Sequence, residues 1–218
     1  MPQDEKKRQK ALMKKRSKQK VAAKAHAAQK TAATGSLKSV IRNAGSYPLL
    51  ECWISSSWQK TNDMGLIQVL VARQQPDGDI CFGMYLIDKY CLGVKNTLAK
   101  AGISRHSFEG EVISSIFQGA KPEKCSPELA HQMIYAAIDY AAQFGFQPQS
   151  DFALTQNVLV PRGELEEPYN LTFGKDGKPF FIAGPYDNVA RVLRQLEKTA
   201  GEGNFDFMAP LGGDMLDF

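Results

Sequence analysis

The amino-acid sequence predicts an α+β fold: an antiparallel-rich sheet with packed helices, preceded by a disordered basic tail. Three observations carry that reading. Two almost continuously apolar runs, residues 65–73 and 80–87, flank a Pro- and Gly-containing turn. Residues 127–144 place Leu129, Met133, Ile134, Ala137, Ile138, Ala141 and Phe144 at helical spacing. Finally, the charge is unevenly distributed along the chain. With 43% hydrophobic and 23% charged residues, the 218-residue chain has the make-up of an ordinary globular protein, so it is not disordered throughout. No run of about 18 apolar residues occurs, so no spanning helix is expected.

The turn between the two apolar runs is Gln74-Gln75-Pro76-Asp77-Gly78-Asp79. Proline presets the first turn position and glycine accepts a positive φ, so a hairpin is expected. Both runs carry apolar side chains at odd and even positions, as strands in the middle of a covered sheet do. Residues 50–55 read as a shorter strand. The next elements expected are a helix over 94–101, ended by Gly102, and a helix-like spacing over 108–118, with a strand start as the alternative.

The helix from Pro127 has the clearest start. Ser126 suits the N-cap, Pro127 the first turn, and Glu128 the positive end of the dipole. Gly145 suits its end. Beyond it, residues 152–160 are expected as a strand. Lys175-Asp176-Gly177-Lys178 is expected as a second hairpin turn, between strands at 171–173 and 180–183. A last helix is expected over 186–199, started by Pro185 or Asp187, with Val189, Val192, Leu193 and Leu196 facing the core.

The chain holds 27 Lys and Arg against 23 Asp and Glu, a formal net charge of +4. Eleven of the basic residues lie within residues 1–33: Lys6, Lys7, Arg8, Lys10, Lys14, Lys15, Arg16, Lys18, Lys20, Lys24 and Lys30. Only Asp4 and Glu5 oppose them, so this segment carries +9 and the remainder −5. Its bulky apolar residues are Leu12, Met13 and Val21, too few for a core. A Lys-rich segment of this kind repels itself as an isolated helix, so disorder is expected in the free state. Residues 1–34 are read as the tail, with Thr34-Gly35-Ser36 as the hinge. Residues 35–208 are read as one globular domain and 209–218 as a C-terminal segment. The mixture of aromatic, Met and Asp residues over 205–218 suits a segment laid over the core, or one that docks on a protein partner or folds back on the basic tail.

The tail lacks the apolar stretch of a secretory signal and the bulky face of a membrane-surface helix. It points to a polyanion. The expected partner is nucleic acid, with RNA or the ribosome favoured. Nine of the eleven cations are Lys, and no groove-reading motif is present. The expectation is a non-catalytic binding protein, without a cofactor or a membrane role. The expected compartment is the cytoplasm, or the nucleus if the source is eukaryotic. The residues expected to contact phosphate are Lys6, Lys7, Arg8, Lys10, Lys14, Lys15, Arg16, Lys18 and Lys20. Arg191, Arg194 and Lys198 would form a second basic stripe on the last helix.

Motifs for chemistry are sparse. Cys52, Cys81, Cys91 and Cys125 form no CxxC, and neither HExxH, GxxxxGK[ST] nor GxSxG occurs. Scattered thiols of this kind suit packing in a reducing compartment. The competing reading is a metal-dependent enzyme acting on nucleic acid. It would centre on Asp88 with a second carboxylate such as Glu109, Glu111 or Asp139. Cys91 paired with His106 or His131 is the candidate thiolate site. The plainer expectation is that Asp88 caps the turn leaving its strand. His131, Tyr135 and Asp139, spaced by four, are expected on a solvated helix face. A third reading is an adaptor subunit docking through its terminal segments.

Overall fold

A computed structural model describes residues 37–60 and 64–209. The tail, the hinge and the C-terminal segment from residue 210 lie outside the described residues. The body is α+β. Strands β1 (Leu49–Ser55), β2 (Leu66–Gln74), β3 (Ile80–Asp88), β4 (Gly93–Ile103) and β5 (Pro122–Cys125) pair in the order β4-β3-β2-β1-β5. Every pairing in that sheet is antiparallel.

The β2–β3 hairpin forms where the sequence expects it. The Gly78 N–H donates to the Gln75 carbonyl at 3.0 Å, and Gly78 takes φ 91°. The register runs unbroken from Leu66–Asp88 to Gln74–Ile80. Both faces of these strands are covered. On one side Leu70, Ala72, Ile80 and Phe82 pack against Phe108, Ile113 and Phe117. Phe108 and Ile113 come from a helical run made of α1 (Arg105–Ser107), a π-helical turn (Phe108–Val112) and α2 (Ile113–Ile116), and Phe117 caps its end. On the other side Val69, Val71, Tyr85 and Ile87 are buried beneath α3 (Pro127–Gln143) and its neighbours. Burying one such side chain contributes roughly 1.5–3 kcal/mol.

The start of α3 follows its sequence signals. Ser126 Oγ accepts the Leu129 N–H at 3.2 Å, and Pro127 occupies the first turn. A small second sheet follows. Strands β6 (Phe180–Ile182) and β7 (Asp206–Met208) pair in parallel, with α5 (Val189–Thr199) between them in the chain. Asn188, rather than Asp187 or Pro185, caps α5; its side chain accepts the Arg191 N–H at 3.0 Å.

Three expectations fail for physical reasons. Residues 94–101 are not helical but belong to β4: the Lys-, Ala- and Leu-rich composition favours helix locally, and pairing along β3 overrides it. Residues 152–160 are not a strand. They form α4 (Phe152–Thr155) and a 3-10 turn (Gln156–Val158), because an apolar run this short carries no decisive period. Residues 171–173 are not a strand either, although the turn after them forms. Lys175 and Lys178 exchange backbone hydrogen bonds at 2.8 and 3.0 Å, with Asp176 and Gly177 at φ 52° and 80°.

Candidate nucleic-acid interface

Four elements position the polar residues singled out by the sequence. On α3 the polar groups grip the chain over 158–170. Val160 N–H donates to His131 Nε2 at 2.9 Å. That nitrogen is therefore unprotonated, so His131 Nδ1 carries the hydrogen and donates to the Pro127 carbonyl at 2.7 Å. Gln132 clasps the backbone of Tyr169 in both directions, at 2.6 and 2.9 Å. Tyr135 donates its hydroxyl to the Val160 carbonyl at 2.8 Å. Arg162 closes the row, its Nη1 donating to both Asp139 carboxylate oxygens at 2.7 and 2.8 Å, with its guanidinium 4.6 Å above the Tyr135 ring. The expected solvated face is thus corrected at His131, which is 2% exposed, and in part at Tyr135. Asp139 alone of the three is exposed. Burial lowers the His131 pKa below the usual imidazole value.

Sequence reasoning did not single out Arg73, which does similar work on β2. Its side chain is buried, with Nε donating to the Val158 carbonyl at 2.5 Å and Nη1 to that of Tyr47 at 2.6 Å. Burial lowers its pKa. A cation ending an apolar strand (Val71-Ala72-Arg73) is the signal that was available in the sequence.

Asp88 lies at the end of β3 and is buried. Its Oδ1 accepts the N–H of Tyr90 at 3.0 Å and of Cys91 at 3.1 Å, closing the turn into β4. Burial pushes its carboxyl up to about 6. Among the described residues no three His, Cys, Asp or Glu side chains are grouped to hold a metal. Glu109 pairs with Arg105, Glu111 is exposed, and Asp139 pairs with Arg162. Cys91 is buried, and burial holds its thiol well above the usual range. Both His131 ring nitrogens are engaged elsewhere, and His106 is exposed. The other cysteines are also free thiols, with Cys52 and Cys81 buried and Cys125 half-buried.

Three large aromatic side chains differ in their surroundings. Phe108 is buried in the core, Trp53 packs half-buried against that cluster, and Trp58 stands edge-on to Tyr169 at 6.3 Å.

The stripe on α5 is of a different kind. Val192 and Leu196 turn inward against Phe181 and Cys91. Arg191, Arg194 and Lys198, three and four apart, face outward and are exposed. Among the described residues no ion pair engages any of the three, although Glu197 is also exposed on this helix. Such a row can contact phosphates without first breaking an internal pair. No helix among the described residues is long and apolar enough to cross a membrane. Comparison of the chain with family models, curated proteins and solved structures finds no match.

Proposed function

We propose that this is a non-catalytic nucleic-acid-associated protein, with RNA the preferred polymer. The observation that carries the reading is the charge asymmetry: +9 on residues 1–33 against −5 on the rest of the chain. A segment with that charge and so few bulky apolar residues gains most from phosphates, by releasing condensed counterions. The three exposed cations on α5 support the reading, because they extend phosphate contact to the folded body. The preference for RNA rests on nine Lys against two Arg in the segment and on the lack of a groove-reading motif.

The test is a salt titration of binding to a labelled RNA oligonucleotide, for the full chain and for the chain lacking residues 1–33. With about six cations of residues 1–33 engaged, that segment alone should contribute a slope of about −4 to −5 to log K against log salt. Deletion should abolish most of that slope. Salt-independent binding, or affinity unchanged by the deletion, rejects the proposal. Purification at low and high salt, with and without nuclease, then identifies the polymer that co-elutes.

A further inference from the structure

One cleft has a volume of about 750 Å³, within the range of small-molecule sites. Its lining combines aromatic, carboxamide and cationic groups. Tyr135 and Phe152 line it with rings; the Tyr135 ring is held by its hydroxyl bond to Val160 and has Arg162 over one face at 4.6 Å, which leaves its other face and the Phe152 ring for stacking. Asn157 and Gln156 donate their amide N–H groups to the Leu154 and Ala153 carbonyls. Each therefore keeps its carboxamide oxygen as an acceptor unused among the described residues. Arg42, at the rim, is exposed and has no carboxylate partner there, whereas Arg162 is already paired with Asp139.

This is the polarity of a nucleobase rather than of a bare anion. An inorganic anion would call for several unpaired cations, and the cleft offers one, with Glu164 also lining it. A base offers a π face to the rings and amino hydrogens to the acceptors, and its phosphate offers charge to Arg42. We propose that the cleft receives one unpaired base of a single-stranded nucleic acid, with its phosphate at Arg42. The proposal rests on the nucleic-acid reading above and deepens it. Chain connectivity supports it: Lys30 precedes Arg42 by twelve residues, a span of at most about 40 Å. A strand held by the basic segment is therefore within reach of the cleft.

The two contributions separate cleanly. Residues 1–33 contain no Phe, Tyr or Trp, so that segment supplies charge but no broad stacking surface. Any preference for a base-bearing strand over an abasic strand with the same number of phosphates must arise in the body. Gly45 offers a way to fill the cleft. Its φ is not positive, and a Cβ there would make an ordinary 3.6 Å contact with the Asn157 carbonyl oxygen.

The experiment uses the full chain and the full-chain variants Gly45→Trp and Arg42→Ala. Anisotropy is measured with an eight-nucleotide oligoadenylate and an abasic strand of equal phosphate count, at one fixed salt concentration. The unmodified protein should bind oligoadenylate at least about fivefold more tightly, the lower end of what one stacked base contributes. Gly45→Trp should bring that ratio close to one and leave abasic binding unchanged. Arg42→Ala, at an exposed site that does not endanger folding, should lower the ratio by about half or more. Equal binding of the two strands by the unmodified protein overturns the cleft proposal and leaves the charge-based reading standing. A ratio that persists in both variants overturns it as well. Failure to bind either strand overturns both readings.

Discussion

The polar face of α3 and the outward face of α5 carry similar residue types and are used in opposite ways. On α3, His131, Gln132 and Tyr135 turn towards backbone groups over 158–170, and nearly every donor or acceptor has a partner. On α5, Arg191, Arg194 and Lys198 point to solvent without an ion-pair partner among the described residues. A histidine engaged at both nitrogens is a scaffold group, because moving its proton breaks a bond that holds the chain. A row of cations without ion pairs ties down no other segment, since Arg194 Nε donates only to the Ala190 carbonyl one turn back on α5, and it is available to a ligand. What separates structure from recognition here is therefore where the hydrogen bonds end rather than the type of residue.

The comparison is tested hardest at Arg73. Replacing Arg73 by Met would leave the carbonyls of buried Val158 and half-buried Tyr47 without their Arg73 donors. Each orphaned acceptor costs about 1–3 kcal/mol, so a loss of about 4 kcal/mol is expected from urea unfolding. A loss below about 1 kcal/mol would show that this cation does not tie the 158–170 segment to the sheet.

Asp88 provides the next largest effect, and it depends on pH. Burial raises its folded-state pKa to about 6, above the ordinary carboxylate value. The folded chain then binds more protons than the unfolded chain between about pH 4 and 6. Stability from this group is present in full below that window and falls as pH rises through it, by up to about 3 kcal/mol. Asp88→Asn keeps an oxygen for the Tyr90 and Cys91 N–H groups and cannot ionise. Its urea midpoint should therefore lack this decline and exceed that of the unmodified protein at pH 7. An equal decline in both proteins would mean that the turn is not where the proton sits.

His131 should act in the opposite direction. Its folded pKa is lowered, so its contribution is present above the ordinary imidazole value near 6.5 and is lost as pH falls below it. Protonation would place a hydrogen on Nε2 and expel the Val160 N–H. His131→Gln should remove this acid sensitivity and cost about 1–2 kcal/mol at pH 7. An unchanged acid limb in the variant would assign the sensitivity to another group.

Much of this arrangement could be read locally. Pro76, Asp77 and Gly78 specify their own turn, and Ser126 with Pro127 specifies the start of α3, because the signal and the structure lie within four residues. Residues Gly93–Ile103 were not legible, since their Lys, Ala and Leu content suits a helix and only the pairing with β3 makes them a strand. Pro122–Cys125 was missed because an edge strand of four residues, half exposed, shows no alternation. The clamps of α3 were hidden for a related reason. The spacing of four placed His131 and Tyr135 on one face, but their common partner, Val160, is 29 and 25 residues away. Charge was readable in advance because it is a sum over residues and needs no partner.

The smallest expected change in stability falls on α5 and sharpens the comparison most. Arg191, Arg194 and Lys198 replaced together by Gln remove three exposed cations that make no ion pair among the described residues. Glutamine keeps the helix propensity, so the unfolding free energy from urea titration should move by less than about 0.5 kcal/mol. RNA affinity should nevertheless fall, and the salt slope should become shallower by about 2 to 3, if all three meet phosphates. A shift in stability without a shift in slope would place these residues with the scaffold groups of α3. An unchanged slope at unchanged stability would take α5 out of the phosphate contact, because α5 would then be a solvated face and nothing more.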